Sequence, residues 1–69
     1  MSNKDYLKQV GMEIKVARIR KGISRNELAK LTGLNITIFS KVENGLADSH
    51  ILTYKRIADA LGTELKDIL

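Results

Sequence analysis

The chain has 69 residues, which is enough for one domain covering residues 1–69 and for a single core. It contains no cysteine and one histidine, His50, which excludes disulfide bonds, thiolate metal sites and histidine clusters. The net charge is +4, and six of the twelve basic residues lie among residues 1–24, a distribution that by itself is weak support for a nucleic-acid partner.

The first predicted helix covers residues 3–21. One apolar stripe recurs at steps of three and four residues, the period of a helix face that packs on a core: Leu7, Val10, Ile14 and Ala17. A second apolar stripe lies on roughly the opposite face and consists of Met12, Val16 and Ile19. Gly22 ends this helix directly after two basic residues, Arg20 and Lys21, whose charges suit a helix C-terminus.

The next two predicted helices are short. Ser24 and Glu27 have the spacing of a capping box at the start of the second helix, and Gly33 ends that helix after barely two turns. Asn35 is a favourable N-cap for the third helix, which runs to Asn44 and Gly45.

The C-terminal part of the chain predicts two more helices. The fourth begins after residues 48–50 and ends at Gly62, with apolar residues at helical spacing: Ile51, Tyr54, Ile57, Ala58 and Leu61. A last turn over residues 64–69 supplies Leu65, Ile68 and Leu69 for packing. Because β-branched residues are scattered and do not alternate, the sequence predicts an all-α fold of five short helices.

Patterns typical of enzymes are absent from the sequence. It has no metal-ligand spacing and no phosphate-binding glycine loop, and nothing brings Glu43 and Asp48 together as paired carboxylates. A chain this small leaves little room for the pocket of roughly 300 Å³ or more that binds a small molecule. No apolar run approaches the roughly 18 residues that span a bilayer, and residues 1–6 lack a signal-peptide stretch. We therefore expect a cytoplasmic, non-enzymatic protein without metal, cofactor, small-molecule ligand or membrane contact.

The most informative segment is residues 22–45. It predicts two short helices joined by a tight turn over residues 32–34, in which Gly33 supplies a positive φ. Ala29 is small enough for the two helices to approach closely, while larger apolar residues fix the angle between them: Leu28, Leu34, Phe39 and Val42. This arrangement presents the second of the two helices to the major groove of DNA.

The same residues resemble the phage-repressor and Cro-like (XRE-type) helix-turn-helix family. The resemblance lies in residues 22–29 (GISRNELA), 32–34 (TGL), 39–45 (FSKVENG) and 57–62 (IADALG), and it extends over about residues 8–69. It implies a compact five-helix, lambda-repressor-like domain that binds double-stranded DNA and regulates transcription. Residues 25–31 would form the positioning helix and residues 36–43 the recognition helix.

The resemblance also assigns roles by position. Arg25 and Asn44 would bind phosphates, and Arg18 would pair with Glu43 to link the first helix to the third. Three side chains would face base edges and two would lie near the DNA surface; the first group is Ile36, Thr37 and Lys41, and the second is Asn35 and Ser40. Each position also has an ordinary interpretation, as a surface side chain, a cap or an unrelated charge.

Two features depart from the family pattern. Ile36 and Ile38 stand where polar base-reading residues are common, so they either touch thymine methyl groups or contact a protein. Residues 46–48 (LAD) replace the basic residues that often follow the third helix and contact phosphates. The leading hypothesis is a sequence-specific regulator, a repressor that binds a partly palindromic operator as a homodimer. The alternative is a protein-interaction module that uses the apolar stripes of the first and third helices.

A homodimer would place two recognition helices about 34 Å apart, one turn of DNA. With no sensor domain expected in the chain, regulation would follow occupancy and protein concentration. The resemblance points to the C-terminal helix as the dimer contact, through Leu65, Ile68 and Leu69, although packing within one protomer explains these residues equally well. The second candidate surface is the outer stripe of the first helix, formed by Met12, Val16 and Ile19.

Overall fold

The computed structural model describes residues 3–69 and contains five α-helices in that range. They are α1 (Asn3–Lys21), α2 (Arg25–Thr32), α3 (Ile36–Glu43), α4 (Ile51–Leu61) and α5 (Leu65–Ile68). No strand occurs within these residues, so the predicted all-α, five-helix fold is confirmed.

The helix boundaries follow the capping residues that the sequence provides. The Ser24 hydroxyl accepts a hydrogen bond from the Glu27 backbone N–H at 3.1 Å, and the Ser24 N–H donates to the Glu27 carboxylate at 3.5 Å, which completes the capping box. Gly33 ends α2 in the left-handed region with a φ of 76°, a backbone conformation that is unfavourable for residues with a Cβ. The chain can therefore turn sharply between α2 and α3.

One apolar core lies between the helices, and every helix except the short α5 supplies several of its side chains. The predicted inner face of α1 contributes Val10 and Ile14, while Leu7 and Ala17 lie at its half-buried margin. Phe39 of α3 and Ile57 of α4 are completely buried in this core. Burying a side chain of this size stabilises the fold by roughly 1.5–3 kcal/mol. The buried set is Val10, Ile14, Leu28, Ala29, Phe39, Val42, Tyr54, Ile57, Ala58, Leu61 and Ile68.

Gly11 allows α1 and α3 to approach each other at backbone distance. A Cβ at this position would lie 2.3 Å from the backbone oxygen of Glu43 and 2.8 Å from that of Val42. Backbone atoms at a helix end cannot move aside as a flexible side chain can. Glycine is therefore required inside α1, where helix propensity alone would favour alanine.

The structure corrects one candidate for the dimer contact. Ile68 is 1% exposed and completes the core of its own protomer, because α5 lies against α1 and α4 and turns this side chain inward. Leu65 is half-buried against the same core, and only Leu69 is largely accessible. On the outer stripe of α1, Met12 and Ile19 are exposed, as predicted, whereas Val16 is half-buried.

Candidate nucleic-acid interface

The turn between α2 and α3 is fixed by hydrogen bonds within α2. The buried Thr32 hydroxyl donates to the carbonyl oxygens of Leu28 and Ala29, each at 3.0 Å. The N–H of Leu34, the residue after the left-handed glycine, donates to the Ala29 carbonyl oxygen at 3.1 Å. With the α2 carbonyls engaged in this way, the chain leaves the helix in one direction and α3 begins at a fixed angle.

The start of α3 is held by Asn35. Its side-chain oxygen accepts a hydrogen bond from the Ile38 N–H at 2.8 Å, which is the bond of an N-cap. Asn44 is the corresponding C-cap, and its backbone N–H donates to the Ser40 carbonyl at 3.0 Å. Both asparagines lie on the protein surface, so each position serves the helix end and is accessible to a ligand.

The two faces of α3 differ in character. Phe39, Val42 and Glu43 point inward and are buried. Thr37 and Lys41 lie on the opposite side and are exposed. The helix therefore presents a hydroxyl, an ammonium group and two isoleucine side chains to the solvent, and it places one carboxylate inside the protein.

The buried carboxylate of Glu43 binds two arginines. Arg18 Nε lies 3.0 Å from Glu43 Oε2 and Arg18 Nη2 lies 3.1 Å from Oε1, so the guanidinium and the carboxylate meet through two parallel bonds. Arg18 Nη1 also donates to the carbonyl oxygen of Ile23 at 3.0 Å. These bonds join α1, the segment before α2 and the end of α3. The guanidinium of Arg18 is thus engaged within the protein through three hydrogen bonds.

Arg25 shares the same carboxylate. Its Nε lies 3.3 Å from Glu43 Oε1, and its side chain remains 37% exposed. The sequence indicated a solvated or phosphate-binding arginine and gave no sign of this bond, because the partner lies 18 residues away on another helix. The bond draws Arg25 across the N-terminus of α2 toward α3.

A shallow groove of about 400 Å³ runs between the N-terminus of α2 and the first turns of α3. Arg25, Ile36 and Ser40 line it, together with Arg18, Ser24 and Asn26. Three predicted site residues, Arg25, Ile36 and Ser40, lie in this groove. Thr37 and Lys41 lie on the outer face of α3, and Asn35 and Asn44 lie at its two ends.

The loop after α3 contains a hydrogen bond that sequence reasoning missed. Asp48 Oδ1 accepts from the Tyr54 hydroxyl at 2.8 Å and from the Ser49 N–H at 2.8 Å. These two bonds, the tyrosine first, lower the pKa of Asp48 below its ordinary 3.8. Burial, followed by the bond to Asp48, raises the pKa of Tyr54 well above its ordinary 10.0. The only signal in the sequence was an aspartate six residues before a core tyrosine.

Residues 3–69 meet the requirements of neither a metal site nor a membrane-spanning helix. No three carboxylate, imidazole or thiol side chains in this range are grouped so that they could hold a metal ion. None of the helices there combines the length and apolar character needed to cross a bilayer.

Two short helices joined through a left-handed glycine, the second with an exposed polar and apolar face, define a helix-turn-helix domain. The sequence model of the family described as "Helix-turn-helix" matches residues 14–68, and the chain belongs to this family of DNA-binding transcription regulators. The predicted membership is confirmed. A comparison with curated proteins finds no match.

Solved structures show the same fold. The restriction-modification controller protein C.AhdI from Aeromonas hydrophila is 26% identical, with a TM-score of 0.92 and complete coverage of both chains. The hypothetical transcription factor NHTF from Neisseria is 28% identical over the whole of this chain and 79% of its own, with a TM-score of 0.89. The clp gene regulator ClgR from C. glutamicum is 22% identical over 91% of this chain and 81% of its own, with a TM-score of 0.88.

Proposed function

We propose that the protein is a sequence-specific transcription regulator, a repressor, that inserts α3 into the major groove of double-stranded DNA as a homodimer. The observation that carries this proposal is the fixed position of α3. Its inner side is bound to α1 and α2 through the buried Glu43, and Thr37 and Lys41 lie exposed on its outer side. A rigid helix with one free face is what base reading in a groove requires.

Arg25 supplies the proposed phosphate contact beside this helix. It is the first residue of α2, where backbone N–H groups and the helix dipole favour an anion, and its guanidinium remains partly exposed. Glu43 keeps both bonds to Arg18 when Arg25 turns toward a phosphate, so the buried carboxylate stays paired. Asn35 and Ser40 would lie near the DNA, and Asn44 would contact a phosphate at the far end of α3.

The regulatory role draws on the similar structures. C.AhdI is a restriction-modification controller protein and NHTF is a hypothetical transcription factor, and both exceed 25% identity over this entire chain. A protein that binds DNA through α3 can control transcription simply by occupying its operator, because the bound protein excludes polymerase from the same DNA. Repression of a reporter whose promoter overlaps the selected site would support this role, and activation would contradict it.

The first experiment is selection of bound sequences from a random duplex pool, followed by gel shifts of the selected duplex over a range of salt. Few basic side chains lie at the proposed interface, chiefly Arg25 and Lys41. About two to three phosphates neutralised per protomer predict a log–log salt slope of roughly −4 to −5 for a dimer. No enrichment of any sequence, or binding that is insensitive to salt, would contradict the proposal.

A homodimer is proposed because one short helix reads too few base pairs to distinguish an operator from competing sites. Two copies related by a two-fold axis add the binding energies of two half-sites about 34 Å apart. We assign this contact to a groove of about 550 Å³ that is bordered by the exposed apolar side chains of Tyr6, Ile51 and Leu69. This groove replaces the candidate dimer contact that included Ile68, because Ile68 is buried in its own protomer.

Two matched substitutions test the dimer surface. Ile51 borders the proposed dimer groove and is 55% exposed, whereas Ile19 lies on the outer stripe of α1 and is 58% exposed. An aspartate at either position therefore leaves the core intact. Ile51→Asp should abolish pairing on a palindromic duplex, whereas Ile19→Asp should leave it unchanged. Sedimentation at saturating protein measures the number of protomers per duplex. A stoichiometry of one in the unsubstituted protein would overturn the dimer, and loss of pairing in Ile19→Asp alone would move it to α1.

A protein-interaction module remains the second candidate function, and the exposure of Met12 and Ile19 favours it. These side chains lie on the outer stripe of α1 and take no part in the proposed DNA surface. A protein whose main function is to bind another protein through this stripe would show no sequence enrichment in the selection experiment. The same experiment therefore distinguishes the two functions.

A further inference from the structure

We propose that Ile36 is a specificity-determining residue that reads the 5-methyl group of a thymine in the operator. The inference rests on the proposed DNA-binding function and concerns which base the apolar side chain accepts. Ile36 is the first residue of α3 and is 40% exposed, although it is a large apolar side chain.

The position of Ile36 connects it to the proposed phosphate contact. Ile36, Ser40 and Arg25 line the same groove between α2 and α3. A phosphate bound by Arg25 would fix the DNA strand beside this groove, and the base edge next to that strand would meet the first turn of α3. Ile36 therefore lies where the helix enters the major groove, within the interface and not beside it.

Local structure keeps the Ile36 side chain in place. The Asn35 cap bonds to the Ile38 N–H at 2.8 Å, which fixes the backbone of the first turn of α3. A β-branched side chain in a helix has one strongly preferred χ1 rotamer. The apolar surface of Ile36 is thus oriented before DNA binds, and little conformational entropy is lost on contact.

The chemistry of the groove selects the partner. In the major groove, guanine, adenine and cytosine present hydrogen-bond donors and acceptors, whereas thymine adds a methyl group. Ile36 has no polar atom with which to replace the water that a donor or acceptor loses, so contact with those edges is unfavourable. A thymine methyl is the one major-groove substituent that gains from burial against this side chain.

Ile38 provides a matched control within the same helix. It has the same side chain and a similar exposure of 46%, but it does not line the groove with Arg25. At 3.6 residues per turn it lies about 200° around the helix axis from Ile36. An effect of a general apolar surface on α3 would involve both isoleucines, whereas a contact with one base involves Ile36 alone.

The experiment uses the duplex selected from the random pool as its probe. Each thymidine in a half-site is replaced singly by deoxyuridine, which removes only the 5-methyl group of the base. Binding is measured by gel shift for the unsubstituted protein and for three variants: Ile36→Ala, Ile36→Val and Ile38→Ala. We expect replacement of one particular thymine to lower the affinity of the unsubstituted protein about fourfold, which corresponds to the burial of one methylene-sized group. Ile36→Ala should bind the thymine and uracil duplexes equally at that position, and Ile36→Val and Ile38→Ala should still discriminate.

The outcomes separate this inference from the function on which it rests. Failure to enrich any sequence contradicts DNA recognition itself, and the thymine contact with it. Enrichment of a site at which no deoxyuridine substitution weakens binding leaves the regulator intact and overturns the role of Ile36. The role is also overturned if Ile38→Ala removes discrimination at the same thymine as Ile36→Ala. Unchanged thermal unfolding of the three variants shows that the comparison concerns binding, since both isoleucines lie outside the buried core.

Discussion

Arg18 and Glu43 lie 25 residues apart in the chain, and their side chains meet through two bonds of 3.0 and 3.1 Å that join α1 to the end of α3. The side chain of Glu43 is fully buried and that of Arg18 is 12% exposed. A buried carboxylate is costly unless it is paired and hydrogen-bonded, and here it has two arginine partners. The orientation of α3 therefore depends on a polar contact as well as on the core.

Replacing Glu43 by alanine should lower the free energy of unfolding by about 3–5 kcal/mol, because Arg18 then remains largely buried without its charge partner. Urea unfolding followed by circular dichroism measures this change. The control is Asp59→Asn, which breaks the exposed ion pair with Lys55 at 2.6 Å and should cost less than about 1 kcal/mol. Equal effects of the two substitutions would show that the buried pair does not hold α3 in place.

Gly11→Ala should destabilise the protein by roughly 1–3 kcal/mol, although alanine is the better helix former. The added Cβ would overlap the backbone of Glu43 and Val42, so α1 and α3 would have to separate. Thermal unfolding of Gly11→Ala measures the effect. The neighbouring exposed substitution Gln9→Ala, on the same helix, should be nearly neutral. A more stable Gly11→Ala protein would mean that helix propensity outweighs the close approach.

Local signals predicted the fold well and long-range contacts poorly. The Ser24 capping box, the Gly33 turn and the Asn35 cap depend on residues within a few positions of each other, so they are readable from the sequence. The family resemblance adds the pairing of Arg18 with Glu43. The roles of Gly11 and Ile68 depend on which helices become neighbours, and spacing along the chain does not contain that information.

The candidate site shows the same division. Placing Thr37 and Lys41 on the outer face of α3 follows from helical periodicity and the buried positions around Phe39. The bond from Arg25 to Glu43 does not, since it requires the crossing of α2 and α3 to be known. A basic residue at the start of a helix is commonly solvated, and only the fold shows that this one is drawn toward α3.

The hydrogen bond from Tyr54 to Asp48 should make stability depend on pH at both extremes. The pKa of Asp48 is lowered in the folded state, so its contribution is present above pH about 5 and is lost as the pH falls through the folded pKa, below 3.8. The pKa of Tyr54 is raised, so its contribution is full below its ordinary value of 10.0 and is lost as the pH rises above that value.

Tyr54→Phe isolates this bond. It should cost about 0.5–1.5 kcal/mol at neutral pH, and the difference from the unsubstituted protein should shrink as the pH falls below 3.8. A carbon-detected NMR titration should show the pKa of Asp48 rising toward its ordinary value in Tyr54→Phe. A pKa of Asp48 that is the same in both proteins would show that the tyrosine hydroxyl is not the cause of the shift.

Arg25 and Lys41 are predicted to affect DNA binding in different ways. Arg25 supplies the proposed contact with the DNA backbone, whereas Lys41 lies on the side of α3 that is proposed to face the bases. Arg25→Ala should weaken binding to all duplexes by a similar factor, since a phosphate contact carries no sequence information, and it should make the salt slope of the dimer shallower by about two, one contact for each protomer. Lys41→Ala, or Thr37→Ala, should cost about 1–3 kcal/mol at the selected site and little on random duplex if the side chain reads a base.

These substitutions are informative because Lys41 and Thr37 are exposed and their loss leaves the core unchanged. Arg25→Ala also removes one bond to Glu43, so its unfolding free energy must be measured beside its affinity. The Arg18 pair keeps Glu43 satisfied, and the loss of stability should therefore be small compared with that of Glu43→Ala. If Arg25→Ala alters sequence preference while Lys41→Ala changes neither affinity nor preference, the roles assigned to the two positions are reversed.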